Sequence, residues 1–176
     1  NIDVKISESK DGLKLFEPNI FFMVKNLNSG LYEEKKSKLF GRYNYENILM
    51  AISVAKFFKI DEQESADKIC IWDMPSNNRS QVIKVAGSNI ILDAYNANPQ
   101  SMKNAIESVQ NFSDNDKVFI IGDMNELGDI SKHEHSEVGK LTSKLESTEC
   151  FFVGDKMEDA YKINKNSRWF KTCLLY

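Results

Sequence analysis

The chain has 176 residues, 41% of them hydrophobic and 28% charged, with a formal net charge of −3. That length is enough for one or two buried cores. The slight excess of acid argues against a basic nucleic-acid-binding face, and no apolar run is long enough to span a bilayer, so neither nucleic acid nor membrane insertion is expected.

Residues 1–40 read as strands. Ile2, Val4 and Ile6 alternate with Asp3, Lys5 and Ser7, the period of a half-exposed strand. Asp11-Gly12 supplies a turn, and Leu13 and Leu15 resume the alternation. Ile20 to Val24 fits a more buried strand, and Ser29-Gly30 punctuates the turn after it. The charged run Glu33-Glu34-Lys35-Lys36 is expected to be a solvated face. At Gly41 the period changes. Ile48, Ala51, Ile52, Ala55 and Phe58 form a helical stripe from Glu46 to Phe58, and the two alanines would allow close approach to a sheet. A second helix is expected over Glu62 to Lys68.

The segment Trp72 to Asn78, with Pro75, Ser76, Asn77 and Asn78, is the best domain boundary. Beyond it strand and helix alternate. Ile90 to Asp93, Val118 to Ile121 and Cys150 to Val153 are short β-rich runs. Between them lie a helix with Met102, Ala105, Ile106 and Val109 on one stripe, and a second opened by Ser131-Lys132-His133-Glu134, spaced as a capping box. The alternation predicts a parallel sheet with right-handed crossovers. Cys70, Cys150 and Cys173 form no CxxC pair and fit reduced, mostly buried thiols in a cytoplasmic protein. His133 and His135 stand two apart, which turns them to different helix faces, and no metal ligand is assigned.

The most polar stretch, Asp93-Ala-Tyr-Asn-Ala-Asn-Pro-Gln-Ser-Met102, directly follows a strand. Asp93 would be delivered by the strand's carboxyl end, where open α/β sheets place ligands. Asn98-Pro99 reads as an N-cap with proline in the first turn. Either a well-capped turn or a ligand loop satisfies these residues.

Four motifs occur in order: Gly41-Arg42-Tyr43-Asn44-Tyr45-Glu46-Asn47, Pro75-Ser76-Asn77-Asn78-Arg79-Ser80-Gln81, Asp93-Ala94-Tyr95-Asn96-Ala97-Asn98-Pro99, and Gly122-Asp123-Met124-Asn125-Glu126-Leu127-Gly128. Together, from about residue 40 to about 155, they resemble the Mur ligases of bacterial cell-wall synthesis. The last two look like the branch of that family that adds D-alanyl-D-alanine. The resemblance implies an α/β fold. Residues 1–74 would be the end of a central ATP-binding domain, and residues 75–176 an incomplete Rossmann-like carboxy-terminal domain with a parallel sheet. It also implies ATP and Mg²⁺ as cofactors, and UDP-N-acetylmuramoyl-tripeptide and D-alanyl-D-alanine as substrates. In that reaction ATP would phosphorylate the tripeptide carboxylate, and the dipeptide amine would attack the acyl phosphate, forming an amide and releasing phosphate.

Residue by residue, the resemblance assigns Asn44 and Asn47 to the adenine site, where amides both donate and accept; helix capping by Asn44 is the simpler alternative. Arg79 is the catalytic candidate, its guanidinium fork matched to ATP phosphates; a surface salt bridge is its alternative. Asp93 would accept from ribose hydroxyls or orient the nucleotide, against a plain helix cap. Tyr95, Asn96 and Asn98 are placed at the incoming dipeptide, although Asn98 alone would suffice as a cap. Asp123 and Glu126 would be substrate contacts or turn residues.

The departures are equally specific. No Gly-x-x-x-x-Gly-Lys-[Ser/Thr] phosphate loop exists, since Gly139-Lys140-Leu141 fails on both sides. The family's Mg²⁺-binding glutamate and histidine, its sugar-binding domain and its late Lys-Gly-Ser-Arg segment are also missing. The chain is therefore expected to be a piece of a longer protein that does not ligate by itself. Two rivals stand beside this reading: another Mur-type or folate-glutamylating ligase, and a standalone binding module without catalysis.

Overall fold

The computed structural model describes residues 4–6, 19–41, 43–72, 80–110, 116–146 and 148–172. It divides into two units, Asn1–Tyr95 and Asn96–Tyr176.

In the first unit, β1 (Val4–Ile6), β2 (Asn19–Lys25) and β3 (Tyr32–Phe40) form an antiparallel sheet in that order. Ile20, Phe22 and Val24 alternate into the core, as their period of two requires. Asn26 closes the β2–β3 turn: its carbonyl oxygen accepts from Gly30 N and its side-chain oxygen from Asn28 and Ser29 N. Helices α1 (Asn44–Phe57) and α2 (Glu62–Ile71) cover the sheet, and Ile48, Ile52 and Ala66 meet Phe22, Val24 and Leu39. Asp61 caps α2, accepting from Gln63 N and Glu64 N.

Two expectations change here. The charged run at Glu33 is not simply a solvated face but the body of β3. Glu34 and Lys36 are exposed, whereas Glu33 and Lys35 are half-buried beside α2. Lys35 donates to Asp67 at 2.7 Å, and Glu33 accepts from Asn26 and Gln63. The stripe of α1 is also narrower than its apolar residues suggest. Asn44, Ile48 and Ile52 are buried, while Ala51 is exposed and Phe58, just past the helix end, is 69% exposed. The Asp11-Gly12 turn and Leu13 and Leu15 lie outside the described residues.

The first unit ends in a hairpin that the sequence reading lacks. Strands β4 (Gln81–Val85) and β5 (Ser88–Leu92) pair antiparallel, Gln81 opposite Leu92. Ala86 and Gly87 turn between them at φ +48° and +83°. Alanine carries no turn signal at a left-handed position, which Asn, Asp or Gly normally fills. The run at Ile90 therefore pairs within this hairpin and not in a parallel sheet.

The parallel pattern holds in the second unit. It begins with α3 (Pro99–Gln110), and its sheet consists of β6 (Lys117–Gly122), β7 (Thr148–Val153) and β8 (Arg168–Phe170), both pairings parallel. Helices α4 (Ser131–Thr142) and α5 (Glu158–Ile163) occupy the crossovers. Phe119, Ile121 and Phe152 point to a core closed by Ile106, Val138 and Ala160, one from each helix. The expected capping box at Ser131 does not form. A 3₁₀ turn over Gly128–Ile130 leads directly into α4, and its cap position, Ile130, has no side-chain acceptor. Cys150 is buried and Cys70 half-buried, and burial raises both thiols above their ordinary pKa; Cys173 lies outside the described residues. Among the described residues, no helix is long and apolar enough to cross a membrane.

Candidate functional site

At the start of α1 the chain builds a fixed pair of amides. Asn44, 9% exposed, donates through Nδ2 to Phe40 O at 2.7 Å and accepts through Oδ1 from Asn47 Nδ2 at 2.7 Å. The spacing of three on one helix face brings the two together, as the sequence predicts. Their work is divided. Asn44 has both polar atoms engaged inside the fold, whereas Asn47 is exposed and presents its amide to solvent. The N-cap position belongs to Tyr43, so Asn44 is a pin between β3 and α1 and not the cap.

Beside it lies a cluster drawn from three places in the chain. Tyr43 OH and Ser80 Oγ are 2.5 Å apart. Asp93 Oδ1 accepts from Ser80 N at 3.0 Å and from Ser80 Oγ at 3.5 Å. Tyr43 is steered by Gly41, at φ +84°, where an added Cβ would come within 3.0 Å of the Tyr43 ring. Burial raises the Tyr43 phenol above its ordinary pKa and the Asp93 charge adds to this, while the Ser80 bond opposes it. Asp93 is exposed and binds Ser80 across the open end of the hairpin, so it is not a helix cap. Arg79, the residue before Ser80, lies outside the described residues.

Of the remaining loop residues, Tyr95 is 60% exposed. Asn96 is exposed and its Oδ1 accepts from the next backbone N–H, that of Ala97, at 2.9 Å. Asn98 is the cap that its position before Pro99 predicts. Its Oδ1 accepts from Ser101 N at 2.8 Å, and Ser101 Oγ in turn accepts from Asn98 N at 3.1 Å.

The second unit fixes the loop after β6 in detail. Asp123 Oδ1 accepts from Met157 N at 2.9 Å, tying the carboxyl end of β6 to the turn after β7. Met124 is fully buried, and its N–H donates to His135 Nε2 at 3.0 Å. Since Nε2 accepts there, Nδ1 carries the proton and donates to Ser131 O at 2.7 Å. Lys156, half-buried, donates to Asn125 Oδ1 at 2.8 Å. Glu126 is exposed at φ +63°. Asp123 is thus occupied in holding the loop, and Asn125, Glu126 and Lys156 form its exposed or half-exposed polar rim.

Residue order does not single out Tyr43, Ser80, His135 or Lys156 as site residues. Tyr43 and Ser80 stand inside quoted motifs, but nothing local shows that residues 37 apart share a proton. His135 is an unremarkable helix residue until Met124 is brought over it. Among the described residues, no group of three His, Cys, Asp or Glu side chains is placed to hold a metal ion.

The profile of the Mur ligase glutamate ligase domain matches residues 78–172. A UDP-N-acetylmuramoyl-tripeptide--D-alanyl-D-alanine ligase of Bacillus subtilis is 34% identical over 120 residues, covering 66% of this chain and 26% of that protein. Among solved structures, MurF from Acinetobacter baumannii aligns with a TM-score of 0.76 at 23% identity, over 88% of this chain and 33% of that one. MurF from Thermotoga maritima, solved in complex with ADP, aligns with a TM-score of 0.73 at 20% identity, over 95% of this chain and 36% of that one. At these identities the two structures establish the fold alone. The chain spans about a quarter of the length of its curated relative.

Proposed function

This chain belongs to the Mur ligase family, and we propose that it is part of an ATP-dependent amide ligase joining D-alanyl-D-alanine to UDP-N-acetylmuramoyl-tripeptide in the cytoplasm. The observation that carries this reading is the 34% identity to a relative of that name. The parallel strands, which end in polar loops where α/β folds hold ligands, agree with it. In the proposed division, residues 1–74 are the end of the ATP-binding domain and residues 75–176 belong to the carboxy-terminal domain, whereas the two compact units divide after Tyr95, with the β4–β5 hairpin in the first.

The residues fit a nucleotide in part. Asn47 offers an exposed amide with both donor and acceptor, suited to a base edge, and Asn44 holds it in place. Asp93 is exposed, and among the described residues both of its bonds fall on Oδ1, so Oδ2 is open to a ribose hydroxyl. Arg79 is proposed to neutralise charge on the transferring phosphoryl group. Tyr95 and Asn96 are proposed to contact the dipeptide. Asn98 supports that loop as a cap. Mg²⁺ is proposed as a cofactor of the complete ligase; among the described residues no side-chain cluster fits it.

The test is an ADP-release assay on the complete protein with substrates varied in turn. Release that requires both UDP-muramoyl-tripeptide and D-alanyl-D-alanine is expected. Release with a folate and glutamate instead, or with neither acceptor, would overturn the assignment. Arg79→Ala should lower kcat by about 10²–10³, and Arg79→Lys should recover only part of it.

A further inference from the structure

Asp93 is held by more than its own strand. Ser80 is 7% exposed and adopts φ +47°, a conformation that non-glycine residues rarely occupy. Such a backbone persists where its surroundings over-determine it. Here two bonds do so: Ser80 N and Oγ both reach Asp93 Oδ1. A carboxylate only accepts, so the Ser80 hydroxyl donates its hydrogen bond to Asp93, and the Tyr43 phenol donates to Ser80 Oγ. The chain of bonds runs one way, from Tyr43 at the start of α1, through Ser80 before β4, to Asp93 after β5.

We infer that Tyr43 and Ser80 are positioning residues for the nucleotide: they fix one oxygen of the Asp93 carboxylate so that the other accepts from a ribose hydroxyl, and they hold Asp93 in register with the amide of Asn47 on α1. This rests on the nucleotide reading of Asp93 given above. The tether joins the two parts of the first unit that carry the proposed base and ribose contacts. A merely structural brace for the hairpin would affect stability and leave nucleotide kinetics alone.

The experiment uses the complete ligase, with ATP varied at saturating tripeptide and dipeptide. Tyr43→Phe keeps the ring over Gly41 and removes only the hydroxyl. It should raise the KM for ATP about three- to tenfold, the range of one hydrogen bond, with the KM for D-alanyl-D-alanine unchanged. Ser80→Ala should do the same; if it fails to fold, Ser80→Gly, which suits the positive φ, replaces it. Asp93→Ala should raise the KM further, and adding Tyr43→Phe to it should change nothing more. With 2′-deoxy-ATP and 3′-deoxy-ATP as probes, the preference for the ribonucleotide should disappear in Asp93→Ala and shrink in Tyr43→Phe. If Asp93→Ala raises the ATP KM but Tyr43→Phe and Ser80→Ala keep the wild-type value, the positioning role is overturned and the nucleotide reading stands. An unchanged ATP KM in Asp93→Ala would overturn both.

Discussion

Gly139 on α4 faces Ala160 on α5 so closely that an added Cβ would come within 2.9 Å of the Ala160 Cα and the Ile163 Cβ, and nearer still to the Ala160 carbonyl oxygen. The two helices that follow β6 and β7 therefore touch backbone to backbone at this point. Alanine improves helix propensity by up to about 1 kcal/mol over glycine, but it would here force two packed helices apart. Overpacking of this kind typically costs about 1–3 kcal/mol, and the neighbour is backbone that cannot rotate away. Gly139→Ala is expected to lower stability in a urea melt, reversing the sign that propensity alone predicts.

His135 is the second place where a buried contact decides stability. Its side chain is 0% exposed and accepts the Met124 N–H while donating to Ser131 O. His135→Ala leaves the Met124 N–H without its partner and opens a cavity, for a loss of about 2–4 kcal/mol. The Met124 amide, expected to exchange slowly in the wild type, should exchange fast in the variant. His135→Gln, whose Oε1 can take the same bond, should restore part of both; equal loss in Gln and Ala would mean that the ring's volume matters and the bond does not.

Asn98 separates cap from contact. Replacing it with alanine removes the bond to Ser101 N and should cost about 0.5–2 kcal/mol. Asn98→Ser, which preserves a capping oxygen, should keep stability and, in the complete ligase, keep the KM for D-alanyl-D-alanine. A raised dipeptide KM in a stable Asn98→Ser variant would assign the residue a substrate role instead.

Acid should weaken the first unit through Glu33. The Asn26 bond, followed by Lys35 and Gln63 against a desolvation cost, holds its carboxyl below the ordinary value. A depressed folded-state pKa stabilises above the unfolded value, and that contribution is lost as pH falls through the folded one. Glu33→Gln should therefore flatten the acid side of the stability profile measured by urea melts at stepped pH. It should leave the neutral-to-alkaline side parallel to the wild type.

The family motifs and the α3 cap were legible in residue order because they are local. Asn98-Pro99 places its cap oxygen three residues from the N–H it serves, and Asn44 and Asn47 meet by helix geometry alone. Period two placed β1, and the apolar runs placed β2, β6 and β7. The hairpin of β4 and β5 escaped because Gly87 is its one turn signal, and Ala86 beside it fills a left-handed position that alanine seldom takes. The half-burial of Glu33 and Lys35 escaped because only α2, folded against β3, supplies Gln63 and Asp67.

The order of residues thus determined the α/β class, the core-facing alternation, the capped start of α3 and the Mur ligase family. Tertiary structure decided what each polar side chain is for. Asn44 became a pin and Asn47 the exposed amide; Asp93 was bound to Ser80 and Tyr43, and His135 was placed under Met124. The reason is physical: propensity and periodicity act over three or four residues, whereas a hydrogen bond between residues 11 or 37 positions apart exists only after packing has brought them together and excluded the water that would otherwise satisfy them.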